Sequence, residues 1–274
     1  MSQLILNRII LITGSTDGIG KKTALDLAAG GAAVIVHGRN ETSAKNAAGE
    51  ISAKTGRKVD HIWADLSVFD QVREMARKIN ENYPEIFALI NNAGVYMKEK
   101  KMTVDGNEST FQINHLSHFL LTSLLLETVL KSPDARIINV SSQVHVRAEM
   151  DFDNLKAEKR FDSYGSYALS KLANVMFSIE LARRLKDKAA VMSLHPGVIG
   201  TKLLRVGFGA QGGSLEEGAE TSVFLAQLPD AYQYSGKYFM RKKTASHNPQ
   251  ADNPEMRKRL WEISEKLCGV TFPA

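Results

Sequence analysis

Short apolar runs alternate with longer stretches of helical periodicity along nearly the whole chain, and this alternation limits the fold more than any single motif. The runs are RIILIT (8–13), AAVIVHG (32–38), KVDHIWA (58–64), IFALINN (86–92), ARIINVS (135–141), AAVMSLH (189–195) and GKYFM (236–240). Most are rich in Val and Ile and bounded by Gly, Pro, Asn or Asp, the pattern of strands buried on both faces. Between them, 20–30, 68–82, 107–131, 165–187 and 216–228 repeat their apolar residues at helical spacing. Regular β-α alternation predicts an α/β fold, a doubly wound parallel sheet of about seven strands with helices on both faces. The 274 residues, 43% of them hydrophobic, suffice for one domain with a sizeable core. No linker or low-complexity block divides the first six units, so residues 1–274 read as one domain.

Charge and cysteine usage exclude several classes. Lys and Arg outnumber Asp and Glu by 35 to 30, a modest surplus of +5. The densest basic run, Arg241-Lys242-Lys243, has no interleaved aromatic residue and reads as a solvated turn, so no nucleic-acid partner is expected. The single cysteine, Cys268, excludes an internal disulfide and suits a reducing compartment. The apolar N-terminal stretch is broken by Asn7 and Arg8, too short to span a membrane and unlike a signal peptide. No membrane span and a cytoplasmic location are expected.

The turn after the first strand reads TGSTDGIG, with Gly14, Gly18 and Gly20 spaced G-x-x-x-G-x-G around Ser15, Thr16, Asp17 and Ile19. Glycines let a backbone turn tightly against a pyrophosphate, while the following helix N-terminus offers unpaired N–H groups and positive dipole. In this position the motif predicts a dinucleotide site in a Rossmann-type domain. The second strand indicates which dinucleotide. It ends in His37-Gly38-Arg39-Asn40, with no carboxylate before Glu41 to take a ribose 2′-OH. Arg39 can fork onto a 2′-phosphate and Asn40 can add a donor, with Lys21 or Lys22 assisting, so NADP(H) is favoured over NAD(H). Asp65, followed by Leu66, ends the third strand where a carboxylate could bond an adenine amino group. Its alternative role is a helix cap, which Ser67 could fill instead.

Two segments interrupt the β-α rhythm, 143–163 and 200–215, and both follow strand C-termini, the edge where open α/β sheets bind ligands. The second holds five glycines in fifteen residues (200–214) and reads as a substrate-side lid. Between the two lies SYALSKLANV, which sets Tyr167 four residues before Lys171 on one helix face. Tyr164 has Ala168 in the matching place and so lacks a cation. An ammonium about 4 Å from the phenol, at an effective dielectric near 20, favours the phenolate by roughly 4 kcal/mol. That is about three units below the usual phenol value near 10; desolvation of both groups would reduce the figure, but even half of it helps general acid–base catalysis.

TGSTDGIG, NNAG (91–94), Asn114, VSS (140–142), YALSK (167–171) and HPGVIGT (195–201) together resemble the short-chain dehydrogenase/reductase family, over almost the whole chain. The stretches TFQINHLSHFLLTSLLL and SYALSKLANVMFSIELARRLKDKAAVMSLHPGVIGTKL are similar to its branch of retinol dehydrogenases and the WW-domain oxidoreductase. The resemblance implies an NADP-dependent oxidoreductase interconverting a carbonyl and an alcohol. Tyr167 would be the acid/base, Lys171 its tuner and a ligand of the nicotinamide ribose, and Ser142 the anchor of the substrate oxygen. Asn114 would hold a water that feeds protons to the lysine. Asn91, Asn92, Ala93 and Gly94 would lie beside the adenosine, and Pro196, Gly197, Val198 and Thr201 at the nicotinamide carboxamide. Family members often pair through helices matching 107–131 and 165–187, which leaves a homo-oligomer open, with 143–163 placed to obstruct it.

Val95, Tyr96, Met97, Val144, Val146 and Phe208 would line a mostly apolar pocket, so a lipophilic or aromatic carbonyl is expected as small-molecule substrate. His145 would touch it, with His195 structural. No metal is expected, because no carboxylate or cysteine completes a ligand set around His115 and His118. Two other readings stand beside the reductase. A cofactor sensor would not need all four catalytic residue types. A C=C reductase of the protochlorophyllide type would lean on cysteines near the site.

Overall fold

The computed structural model describes residues 3–209 and 211–273. In chain order its elements are β1 (Ile9–Ile12), α1 (Gly18–Ala29), β2 (Ala33–Gly38), α2 (Glu41–Thr55), β3 (Asp60–Trp63), α3 (Phe69–Asn82) and β4 (Ala88–Asn91). Then come α4 (Ser109–Phe111), a π-helical turn (Gln112–Leu116), α5 (Ser117–Leu130), β5 (Arg136–Val140), α6 (Ser163–Leu185) and β6 (Ala190–His195). The chain closes with α7 (Lys202–Phe208), α8 (Leu215–Ala226), β7 (Tyr238–Met240), β8 (Lys243–Thr244) and α9 (Pro254–Cys268).

The strands form one sheet in the order β3-β2-β1-β4-β5-β6-β7-β8. Seven are parallel, as the alternation predicts, and the short β8 adds an antiparallel edge. Arg241 and Lys242 make the connecting turn with φ of 50° and 61°, so the basic run is a hairpin. Every residue of β4, β5 and β6 is buried, because helices cover both faces. One apolar core lies beneath α3, α5 and α6, and a second beneath α1, α2 and α8. α9 packs against α5 and α6, the helices through which the resemblance implied pairing.

Local chemistry marks the helix ends. Asp17, Asn40 and Asp162 cap α1, α2 and α6 through their side chains. Ser214 and Glu217 form a reciprocal capping box on α8. The run Ser109–Leu130 is long and apolar enough to cross a membrane, yet most of it is buried in this fold. Segment 200–215 is partly helical: α7 occupies its first half, capped by Thr201.

Candidate active site

The strand order reverses between β1 and β4, and ligands of open α/β sheets sit at the C-terminal ends of strands around such a point. A cleft of about 780 Å³ opens there, reached by the glycine turn, the ends of β3, β4, β5 and β6, and the first turns of α6 and α7.

The glycine turn is shaped by its own packing. Gly14 adopts φ +62°, and a Cβ there would stand 2.8 Å from Ala93 Cα. A Cβ on Gly20 would collide with the Gly14 carbonyl oxygen and Asn92 Nδ2. In the first turn of α1 the N–H groups of Ile19 and Gly20 have no intrahelical carbonyl to bond, and both residues line the cleft. Thr16, Asp17 and Gly18 line it as well. Ser15, expected among the cofactor contacts, turns inward: its Oγ donates to Ile12 O at 2.7 Å and accepts from His37 N at 3.0 Å.

His37 holds this turn in place. Gly14 N–H donates to its Nδ1 at 3.0 Å, so the ring hydrogen sits on Nε2, which donates to Ala64 O at 3.1 Å. Burial pushes the imidazole down to about 4, so it is neutral at ordinary pH. The sequence signal was slight: a histidine one residue before Gly38, where β2 meets the turn.

At the expected ribose end, exposed Arg39 lines the cleft and forms no ion pair among the described residues. Asn40 is not among the residues lining the cleft; its Oδ1 caps α2 by accepting from Ser43 N at 2.9 Å, a bond that uses the oxygen and not the amide hydrogens. Lys21 and Lys22 are also committed, to Glu50 at 2.7 Å and Asp26 at 2.6 Å. Asp65 Oδ1 accepts from Ser67 N and Ser67 Oγ, leaving Oδ2 without a hydrogen-bond partner among the described residues. Neither residue caps α3. Asp105 does so from a distant loop, accepting from Phe69 N at 3.0 Å. Leu66, Asn92, Ala93 and Gly94 line the cleft, whereas Asn91 is buried between β4 and β5, bonded to Thr122 and Asn139.

The opposite half holds Ser142, Tyr167 and Lys171. One turn of α6 separates the phenol from the ammonium, whose Nζ is 5.7 Å from the ring centroid and donates to Val140 O at 3.0 Å. Ser142 hydrogen-bonds the phenol, while Ser141 points the other way and donates to Lys171 O at 2.7 Å. That opposition is the alternation expected along a strand end.

The expected lowering of Tyr167 is reversed. Burial raises it to about 12, and the hydrogen bond from Ser142 opposes this only in part. Burial also lowers Lys171 to about 8. Desolvation of both groups was expected only to reduce the effect of the charge, and in this enclosed site it dominates instead.

Asn114 lies in the π-helical turn, wholly buried behind the cleft. Its Oδ1 accepts from Val95 N at 2.8 Å, and its two amide hydrogens go to Val95 O and Ser170 Oγ, both at 3.0 Å. Ser170 Oγ in turn donates to Tyr167 O at 2.7 Å. Asn114 therefore acts on the wall of the site rather than at its surface.

On the substrate side Val95, Met97 and Val144 line the cleft as expected, joined by Ile113, Leu203 and Leu204, which sequence reasoning missed. Pro196, Gly197, Val198 and Thr201 line it too, and Gly197 takes φ +102°. Tyr96 stands behind: its ring packs 5.5 Å from that of Tyr167 and its hydroxyl bonds Ser163 at 3.1 Å. The two histidines exchange their expected roles. His145 is buried, with Nδ1 on Ser142 O at 2.6 Å and its ring edge-on to Tyr238. His195 lines the cleft. Val146 is exposed and outside the lining, and the side chain of Phe208 lies outside the described residues. Among the described residues no three His, Cys, Asp or Glu are grouped to hold a metal.

Comparison with known proteins agrees with this geometry. The profile described as short chain dehydrogenase matches residues 8–207. Human retinol dehydrogenase 13 is 38% identical over 98% of this chain and 87% of its own length. Mouse retinol dehydrogenase 12 is likewise 38% identical, over 98% and 88%. An uncharacterised protein from Mycobacterium paratuberculosis superposes with a TM-score of 0.82 at 29% identity, covering 98% of this chain and 96% of the other. A short chain dehydrogenase from Escherichia coli CFT073, solved with NADPH, gives 0.75 at 27% identity, covering 89% and 100%. A glycine turn, a Tyr-Lys pair and a seven-stranded parallel sheet meeting at one cleft thus have a common origin: the chain belongs to the short-chain dehydrogenase/reductase family, close to its retinol dehydrogenase branch.

Proposed function

We propose that the protein is an NADP(H)-dependent oxidoreductase that interconverts a lipophilic carbonyl compound and its alcohol. The observation that carries this reading is the convergence of Tyr167, Lys171 and Ser142 on the same cleft as the open N-terminus of α1. The groups present fit a dinucleotide: helix N–H groups and glycine backbone for a pyrophosphate, Asp65 for an adenine amine, Lys171 for a ribose. Arg39, which forms no ion pair among the described residues and has no carboxylate between it and Glu41, favours a 2′-phosphate. The NADPH held by the similar Escherichia coli protein supports the same choice. Relatives named for retinol, a long apolar alcohol, support an apolar substrate, as does the lining by Val95, Met97, Val144 and Ile113.

Bound in this cleft, NADP(H) supplies or accepts the hydride at the substrate carbon. Tyr167, protonated at neutral pH because burial holds it near 12, donates its phenolic proton to the carbonyl oxygen as the alcohol forms. The Ser142 hydroxyl, beside that phenol, hydrogen-bonds the same oxygen and stabilises its developing charge. Lys171, with its pKa near 8, remains mostly ammonium at pH 7 and offsets the phenolate left behind. Asn114 keeps Val95 and Ser170 in register around them.

The test is NADPH consumption against aliphatic, aromatic and retinoid carbonyls, with wild type beside Tyr167→Phe and with NADPH binding followed by fluorescence. Turnover that disappears in the variant while NADPH still binds is the expected result. Undiminished turnover in Tyr167→Phe would overturn the assignment of the proton donor.

A further inference from the structure

His118 belongs to none of the roles above, yet it touches two of the loops that shape the cleft. Thr13, at the end of β1, accepts two main-chain hydrogens at its Oγ1, from Asn92 N at 2.9 Å and Ala93 N at 3.0 Å. Its own hydrogen is then directed at His118 Nε2, 2.9 Å away; the alternative acceptor, Ile90 O, is at 3.4 Å. The other ring nitrogen of His118 lies 3.1 Å from Asn114 O, which can only accept. So Nδ1 carries the hydrogen and Nε2 accepts, and both contacts require the same neutral tautomer. The ring is 2% exposed, and burial pushes it down to about 3, reinforced by the nearby Lys171, His37 and His115.

We propose that His118 is a positioning residue that joins the cofactor cradle to the catalytic wall, a step that rests on the reductase reading above. The hydrogens run one way, from Asn92 and Ala93 N–H to Thr13, from Thr13 to His118, and from His118 to Asn114 O. From Asn114 the connection continues to Val95 and, through Ser170, to the main chain of Tyr167. The near end braces Ala93 against Gly14 and is completed by Asn92 Nδ2, which donates to Thr13 O at 2.8 Å and Gly14 O at 3.1 Å. The far end holds the π-helical turn that carries Asn114. A single imidazole thus holds the pyrophosphate turn, the end of β4 and the helix behind Tyr167 in one arrangement. An Nε2–H tautomer or an imidazolium would present a hydrogen to Thr13, which has already accepted two.

The experiment compares His118→Phe, which keeps the ring volume and loses both bonds, with His118→Gln, which keeps one donor and one acceptor. NADPH Kd is read by fluorescence, kcat by NADPH consumption and folding by thermal melting. In His118→Phe, Kd is expected to rise and kcat to fall about tenfold each, the scale of one or two ordinary hydrogen bonds. His118→Gln should return both to within about threefold of wild type. Thr13→Val breaks the same link from its other end and supplies a second route should His118→Phe fail to fold: kcat should fall about tenfold along with the rise in Kd, and an unchanged kcat would overturn the proposal. A folded His118→Phe with unchanged Kd and kcat would overturn the proposal, and so would a Gln variant as impaired as Phe. A merely structural histidine would lower the melting temperature and leave Kd and kcat alone. Because Kd requires no substrate, wild type that binds NADPH but turns nothing over would refute the reductase reading while this comparison still decides the role of His118.

Discussion

Lys171→Met should stabilise the fold while abolishing its activity. Burial lowers this lysine from the usual 10.5 to about 8, so folding at neutral pH works against its preference for a hydrated ammonium. A shift of this size costs about 3 kcal/mol below pH 8. Between the two values the unfolded chain binds more protons than the folded one, so this group's penalty shrinks as pH rises from 8 to 10.5 and is gone above that. Methionine matches the length of the side chain and carries no charge, but it gives up the bond to Val140 O, worth about 1 kcal/mol. The variant is therefore expected to be more stable than wild type by about 2 kcal/mol at pH 7. The assay is urea unfolding of both proteins from pH 6 to 11, because the difference between them isolates Lys171 from every other titrating group. That difference should fall steadily from pH 8 to 10.5 and end near or below zero. A pH-independent difference, or a variant less stable at pH 7, would refute the reasoning that burial dominates this site.

The same lysine sets a rate profile: carbonyl reduction should be level below pH 8 and fall about tenfold per pH unit above it, as the ammonium is lost, and a profile level to pH 10 would contradict this. Gly20→Ala should weaken NADPH binding at least about tenfold, since the added methyl meets Gly14 O and Asn92 in a turn that must shift by overpacking. Titration by fluorescence with an unchanged circular dichroism spectrum checks it. Arg39→Ala should raise the NADPH Kd by about ten- to a hundredfold and leave NADH unaffected, the range of a charge-assisted hydrogen bond. Equal losses for both cofactors would remove Arg39 from the 2′-phosphate.

Much of the protein was legible in the chain. Seven apolar runs became seven parallel strands; in most of them burial on both faces leaves a continuous apolar stretch that local pattern detects, whereas the edge strand β3 alternates half-buried and exposed residues. The spacing of Tyr167 and Lys171 needs only a helix to bring both to one face, and the capping of α6 by Asp162 supplies its start. Gly14, Gly18 and Gly20 could likewise be placed, because a turn between a strand and a helix is a local event.

What the tertiary structure alone decided was the direction and protonation of side chains whose neighbours lie far away in sequence. Ser15 and Asn40 sit in the expected loops, but one bonds its own strand and the other caps α2. Lys21 is neutralised by Glu50, 29 residues on. Tyr96 backs Tyr167 instead of facing the cleft, and His145 and His195 exchange places. Tyr167 rises to about 12 where charge spacing suggested a fall. Histidines 37 and 118 gain their roles only when β1 packs between β2 and β4. Periodicity is written residue by residue, whereas desolvation and hydrogen-bond direction depend on every group the fold assembles around an atom, and those groups are neighbours in space only.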